Sequence, residues 1–568
     1  MFFKKVKILK GKKNQINGNC ALCRHKFLTI CLLFIFCLTS VSPNFLKQTQ
    51  LFAEENTVVD IQVPIIGEMD DSGTANAEDY PDQFANTDAN SANDLDSNEG
   101  AISRDDEGFS IGFIEGNLHR DAQTSIYKDG GRTLTLGAVG DVLFHSSVLN
   151  GGQTADGSYE YDYIFDYLRP EIAKLDYAIA NMEGTLAGPP YTGYPIFSAP
   201  DAVAKMIKNA GFQMALTANN HMMDRGVEGH CRTVEILRSY GLDTVGSRLS
   251  PDEPTYIMKV INGVKVAFSC WTYETPRIDG LKSVNGLIIP ADFESQVDSF
   301  SQEEIYLEED AQRLTNRAQE MRAAGAEIVV FFMHWGTEYV LEPDYWENYY
   351  SQVLADAGVD LCFNTGPHVI LPADRIPARD GSSSMFVFYS SGNIVSDQYY
   401  TIGDSNGRCE DGLLNVVRFR ETVDGKMHLQ EAGFINTYCY KESIGYDQHR
   451  NYIMPVRAAL EDPEHYSAYG IIDLLQASKD RSDLMMSKSQ PRETPLYNFT
   501  LLPDSWTASG DVHNYDPAID DQPQELEEHT GLESHFNEAG EELFGPFLKE
   551  NPAEGSSESA ESKSTPEN

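Results

Sequence analysis

The sequence predicts a layered α/β/α fold with one contiguous core. Two observations carry that expectation. Apolar, strand-like runs alternate with helical spacings from about residue 132 onward. The apolar runs also end abruptly in Asp, Glu, Asn or His, which is how buried parallel strands deliver polar side chains to one edge of a sheet.

In chain order, Leu134 to Val139 is a short strand followed by Gly140, Asp141 and His145. Tyr161 to Leu175 has helical spacing, with Ile164, Phe165, Leu168, Ile172 and Leu175 along one side. Tyr177 to Ala180 is strand-like and runs into Asn181 and Glu183. A helix from about Asp201 to Asn209 closes at Gly211, and Met214 to Leu216 is the next strand. That strand delivers Asn219, Asn220, His221 and Asp224 ahead of a helix from about Gly229 to Tyr240. Lys265 to Trp271 is a strand, and Glu308 to Ala324, rich in Glu, Gln, Arg and Ala, is an amphipathic helix. Glu327 to Met333 is a buried strand ending in His334 and Glu338. Tyr345 to Ala357 is a helix. Asp360 to Phe363 is a strand before Asn364 and His368, and Met385 to Tyr389 one before Ser391, Gly392 and Asn393. These elements define a main domain over 132–440. Residues 441–502, with a short helix at Ile471 to Ala477 and a strand at Leu496 to Leu502, are expected to pack on it as a C-terminal extension.

Composition sets the flanks apart. Residues 1–53 hold nine Lys or Arg and no acid, whereas residues 54–109 and 503–568 are each 15 negative and together supply 30 of the net −44. The linker 54–131 and the tail 503–568 are rich in Asp, Glu, Asn, Ser and Pro, and are expected to be disordered because they cannot bury enough apolar surface to offset ordering entropy. No basic face offers to replace phosphate counterions, so nucleic-acid binding is disfavoured. At the N-terminus a Lys-rich stretch precedes an uncharged apolar run from Phe27 to Val41, the pattern of an export signal or an N-terminal membrane anchor. Either one puts the bulk of the chain outside the cytoplasm, secreted or anchored to the cell membrane. Cys20 and Cys23 with His25 make only a weak zinc motif. The scattered Cys231, Cys270, Cys362, Cys409 and Cys439 read as buried thiols.

Taken singly, each polar strand end has an ordinary explanation: Asn219 and Asn220 cap a turn, and an isolated His is hydrogen-bonded. Five strand ends of the same kind make coincidence a poor account. Carboxylate, imidazole and amide donors converging on one edge suit a hard or borderline divalent ion, and two such ions form a clamp for phosphoester hydrolysis. The motifs Gly140-Asp141-x-x-x-His145, Asn181-x-Glu183, Asn219-Asn220-His221-x-x-Asp224-x-Gly226, His334-Trp335-Gly336-x-Glu338 and Pro367-His368-Val369, followed by Ser391-Gly392-Asn393, resemble the CapA family of capsule-synthesis proteins. The resemblance covers roughly residues 133–420. It implies a metallophosphoesterase-like (calcineurin-like) domain associated with poly-γ-glutamate capsules. It further implies one or two divalent ions (Mn, Fe, Zn or Mg), with Asp141, His145 and His368 on the first, Glu183 bridging, and Asn220 and His334 on the second. His221 would sit near the substrate with Asp224 beside it. In this chain two motifs depart from the pattern. Three residues separate Asp141 from His145 where classical metallophosphoesterases have one, and Gly366 stands where the family usually has the first His of His-Pro-His.

The function these features imply is a metal-dependent hydrolase outside the cytoplasm. It would act on a phosphoester or amide bond of a capsule or envelope polymer, with metal-bound hydroxide attacking and His221 protonating the leaving group. Its implied partners are that polymer and membrane synthase subunits. The alternative is a non-catalytic assembly or export component that keeps a relict site, favoured by the missing imidazole. Residues 110–502 still carry a net −23, which repels a polyanion unless metals or local basic patches offset it.

Overall fold

The computed structural model describes residues 114–115, 126–399 and 406–521, so the expected export segment, its cysteines, most of the acidic linker and residues 522–568 lie outside the described residues. Two sheets organise the rest. The first contains, in chain order, β1 (Thr133–Leu143), β2 (Tyr177–Glu183), β3 (Met214–Leu216) and β4 (Asp243–Val245). The second contains β5 (Ile257–Ile261), β6 (Val264–Ile278), β7 (Ile328–His334), β8 (Leu361–Thr365), β9 (Ala373–Pro377) and β10 (Ser384–Phe388). The chain then returns to the first sheet with β11 (Asn393–Val395), β12 (Asp411–Glu421), β13 (Met427–Gly445), β14 (Gln448–Pro455) and β15 (Leu496–Asn498). The strand order is β15-β13-β12-β1-β2-β3-β4 in the first sheet, with β11 beside β1 and β14 beside β13, and β9-β10-β8-β7-β6-β5 in the second. β1 to β4 run parallel, as do β6, β7, β8 and β10.

The layered α/β expectation holds, with the central layer made of two sheets packed face to face. One apolar cluster takes Leu134, Leu136, Ile179 and Met214 from the first sheet and Val266, Phe268, Val330 and Phe332 from the second. The outer face of the second sheet buries Val329, Phe331 and Met333 against Leu314, Ala318 and Met321 of α3 (Leu307–Ala323) and against Tyr350 and Leu354 of α4 (Tyr345–Asp356). The outer face of the first sheet meets Met206 and Ile207 of α1 (Ala202–Ala210) and Leu237 of α2 (Gly226–Ser239). β7 is therefore buried on both faces, which is why its sequence is a continuous apolar run and not an alternating one.

The structure departs from the sequence-based expectations in four places. The helix expected at Tyr161 to Leu175 is a 3-10 turn at Asp162–Phe165 and a short helix at Arg169–Ile172. Pro170 has no N–H to bond back to Asp166, so it breaks a continuous helix and sits instead in the first turn of the short one, yet all five apolar residues of the expected stripe are buried. No boundary falls at 440: β13 runs through it, and β14 and β15 complete the first sheet. The helix expected at Ile471 to Ala477 extends to Met486 as α5 (Ile472–Met486). Residues 503–521, expected to open the tail, pack on the domain, with Trp506 buried and Val512–Asn514 pairing antiparallel to β5. Composition averaged over 503–568 hid the apolar residues of that first stretch. Cys270, Cys362, Cys409 and Cys439 are buried free thiols and Cys231 is half-buried.

Candidate metal centre

Side-chain alternation carries the inter-sheet core directly into a polar cluster. In β2, Tyr177 and Ile179 face the second sheet, and the same parity places Asn181 and Glu183 there. In β7, Val330 and Phe332 hand over to His334, and in β8 Leu361 and Phe363 hand over to Thr365. β1 needs a correction to its parity: Leu134, Leu136 and Ala138 face inward, so Asp141 would face out. A register shift between Ala138 and Asp141 in the pairing with β2 reverses the alternation and turns Asp141 inward. Gly140 lies inside that shift, where a Cβ would stand 1.7 Å from the Gly392 carbonyl oxygen. Only glycine lets the two strands approach this closely. The Asp141 N–H then donates to the Gly392 carbonyl at 3.1 Å, which seats β11 beside the carboxylate.

Asp141, Glu183 and His368 present ligand atoms that all lie within 4.8 Å of one another, and all three are buried. His368 Nδ1 lies 3.1 Å from Asp141 Oδ2 and 3.1 Å from Asn393 Oδ1, and its Nε2 is 3.7 Å from Glu183 Oε1. Asp141 Oδ1 accepts from Asn181 Nδ2 at 2.8 Å. His334 approaches the same carboxylate oxygen, with Nε2 3.9 Å from Glu183 Oε1 and 3.1 Å from Asn220 Oδ1. Its Nδ1 is 2.9 Å from the Thr365 hydroxyl, and the Tyr273 ring stacks on it, tilted by 9°.

The electrostatics show what this cluster lacks. Neither oxygen of Glu183 has a hydrogen-bond partner, although the residue is fully buried. Burial and the neighbouring Asp141 charge push its carboxyl well above the usual range. Burial works against charge on Asp141 too, but the hydrogen bond and charge of His368 hold that carboxyl below its ordinary value. His368 is in turn pushed up to about 10: burial opposes its charge, and Glu183 and Asp141 outweigh burial. Burial lowers His334 to about 4, leaving a neutral imidazole with a lone pair. An orphaned buried carboxylate beside a second carboxylate and two imidazoles fits a divalent cation, whose charge would replace the protons the site otherwise gathers. Mixed oxygen and imidazole donors suit Mn, Fe or Zn.

The other residues anticipated from sequence fall around this cluster. His221 Nδ1 pairs with Asp224 Oδ2 at 2.9 Å, and the same carboxylate oxygen accepts from the Phe197 N–H at 2.7 Å. The carboxylate thus fixes the imidazole's orientation. Asn219 bonds the Met182 carbonyl and the His221 N–H, a local structural role. His145 is not part of the three-residue cluster. Its Nδ1 accepts from the Asp397 N–H at 3.2 Å, burial lowers it to about 4, and it meets the edge of Phe197, whose ring also meets His221. Asn364 does not stand in for the absent imidazole: its Oδ1 accepts from the Met333 N–H and its Nδ2 donates to the Phe388 carbonyl. Gly366 has φ +119°, and a Cβ there would lie 2.2 Å from the Trp335 carbonyl oxygen. The position has no room for an imidazole. Sequence reading gave no role to Asn393, Thr365 or Tyr273. Only parity with apolar core positions signals Thr365, and Asn393 and Tyr273 depend on contacts between strands distant in sequence.

The family model described as "Bacterial capsule synthesis protein PGA_cap" matches residues 135–398. The capsule biosynthesis protein CapA of Bacillus anthracis is 28% identical over 282 residues, 47% of this chain and 61% of that protein. The PGA biosynthesis protein CapA of Bacillus subtilis strain 168 is 28% identical over 279 residues, 47% of this chain and 64% of that protein. The chain therefore spans less than two thirds of the length of these curated relatives. Among solved structures, the NAD nucleotidase of Haemophilus influenzae covers 64% of each chain at 12% identity with a TM-score of 0.32, and no role is carried over from it.

Proposed function

Through residues 135–398 this chain belongs to the bacterial capsule synthesis protein family, and from that premise we propose that it is a metal-dependent hydrolase of capsule or envelope-polymer biosynthesis. The bond cleaved is a phosphoester or an amide, and the polymer is poly-γ-glutamate or a related polyanion. The observation that carries the reading is the buried Glu183 carboxylate, unbonded at both oxygens and faced by His368 and His334. Asp141, Glu183 and His368 would hold the cation, and Asn220 and His334 would contribute to a second. A bound divalent ion supplies Lewis acidity and makes water acidic enough to attack at neutral pH.

The chain's own groups do the rest. Asn181 and Asn393 fix the orientations of Asp141 and His368. Thr365 fixes His334. The Asp224 carboxylate on Nδ1 would orient His221 and stabilise its imidazolium, whose Nε2–H would be given to the leaving oxygen or nitrogen. The Lys-rich and apolar leader supports action outside the cytoplasm, either secreted or anchored, alongside membrane synthase subunits. Among the described residues no helix is long and apolar enough to cross a membrane.

The test is metal analysis of the full chain together with hydrolysis of generic phosphomonoesters and phosphodiesters. The wild type is expected to hold near-stoichiometric divalent metal and to turn over, and Asp141→Ala to lose both. His221→Asn keeps its metal and loses about 10²–10⁴ in kcat. Metal-free wild type with turnover equal to both variants would leave the non-catalytic assembly or export role.

A further inference from the structure

A second polar cavity lies away from the metal centre, behind the second sheet. α3 places Arg313 and Arg317 four residues apart on one face. Both guanidinium groups lie over the ring of Trp271 on β6, at 5.0 and 5.2 Å from its centroid. Arg248, which follows β4, comes up against the same place. Together with Asn316 and Asp298 they line a cavity of about 290 Å³ to which no metal-centre residue contributes.

Three arginines, Arg248, Arg313 and Arg317, line it together with three acids, Asp298, Glu294 and Glu320. Asp298, 2% exposed, is engaged by two guanidinium groups: Arg248 Nη1 at 2.9 Å and Nη2 at 3.3 Å, and Arg317 Nη1 at 3.1 Å and Nη2 at 3.2 Å. Asp298 thus bridges two buried guanidinium groups; Arg248 Nη2 also donates to the Ser295 carbonyl at 2.6 Å, and Glu320 Oε2 lies 3.9 Å from Arg317 Nε. Arg313 Nη1 is taken by the Ser299 carbonyl and Asp310 Oδ1. Arg248 is 5% exposed, yet its Nε has no hydrogen-bond partner among the described residues. A buried guanidinium N–H left unpaired costs about 1–3 kcal/mol or more, so an orphan donor beside a cavity calls for an acceptor. Of the other acids lining the cavity, the Glu320 side chain is 62% exposed and Glu294 is half-buried. Arg248 and Arg317 are largely desolvated, which strengthens their hold on an anion. Planar guanidinium forks match carboxylate and phosphate oxygens.

We propose that this cavity binds an anionic group, a carboxylate or a phosphate, at a site separate from the metal centre. The unpaired Arg248 Nε supplies a donor, the Arg313 guanidinium borders the cavity, and Trp271 supplies the wall. The site is independent of hydrolysis at Glu183.

The test uses the full chain carrying Asp141→Asn, stripped with a chelator that is then dialysed away, so that an anion at the metal centre cannot answer for the cavity. Inorganic phosphate and glutarate are titrated separately by calorimetry in low-salt buffer. Saturable one-to-one binding of at least one probe is expected, and which one binds identifies the phosphate or the carboxylate source. Arg313→Gln, at a partly exposed position, and Arg248→Lys should each weaken that binding tenfold or more. No saturable binding of either probe would overturn the proposal, as would equal affinity in the folded variants, leaving a purely structural Arg–Asp–Arg cluster. If Arg248→Lys does not fold, Arg313→Gln decides alone.

Discussion

Glu183 concentrates the chemistry of the molecule. A carboxylate fully buried without a hydrogen bond, next to a second carboxylate, is a cost that folding tolerates only for a ligand. Glu183→Gln removes that like-charge pressure and replaces the anionic ligand by a weaker neutral amide. The wild type should gain thermal stability on adding Mn or Zn, about 2.7 kcal/mol at a hundredfold excess over Kd. The variant should show little or no such gain in a thermal-shift titration, and an equal gain in both would place the ion elsewhere. Gly366 is the complementary case, where the backbone decides. Its φ of +119° and the Trp335 carbonyl 2.2 Å from a would-be Cβ exclude any side chain. Gly366→His, which restores the family's usual residue, is therefore expected to destabilise the fold by about 2 kcal/mol or more and to add no metal. Denaturant unfolding with metal analysis checks both parts. His368, two residues downstream, itself sits at φ +59°, a conformation uncommon outside glycine and asparagine, and the contacts to Asp141 and Asn393 hold it there.

At the scale of elements, α4 anchors the loop that leaves His334. Asp344 accepts from the Trp346 and Glu347 N–H groups, and Glu347 reaches back to the Asp344 N–H at 2.8 Å, a complete capping box. Glu347 is 1% exposed, and burial pushes its carboxyl up to about 8. The folded protein thus holds this proton more tightly than the unfolded chain, whose carboxyl titrates near the ordinary 4.5. Folding takes up a proton between those values, so this group's contribution to stability falls as pH rises from about 5 to about 8. Glu347→Gln keeps an acceptor for the Asp344 N–H and should flatten the stability profile across that window. The variant should be the more stable protein at pH 8 to 9 by denaturant titration, and parallel profiles would contradict the assignment. The helices and the buried parallel strands were legible in the sequence because period 3.6 and continuous apolar runs are local signals. The hairpin of β13 and β14, and β5, β9 and β12, were not, although each pairs with a neighbour along the chain: charged residues such as Lys259, Asp374, Arg418 and Arg450 interrupt their apolar pattern.

For the whole molecule, residues 499–521 belong to the domain. Trp506 is 4% exposed in the cluster on the outer face of the first sheet, and Val512–Asn514 extends the second sheet beside β5. Trp506→Ala is expected to cost roughly 3–5 kcal/mol of unfolding free energy, and an unchanged denaturation midpoint would show this stretch to be dispensable. What the sequence determined by itself was the layered α/β class, the strand ends bearing Asp141, Glu183, Asn220, His334 and His368, and the family their motifs resemble. Each of these depends on neighbours a few residues apart. Only the tertiary structure decided which ends meet. Two sheets packed face to face bring Asp141 and Glu183 from one into contact range of His368, which follows the second sheet's β8, while His145 stays outside that cluster. The physical reason is parity and register. A one-residue shift in β1 turns Asp141 inward, and no local pattern in the sequence encodes where such a shift falls.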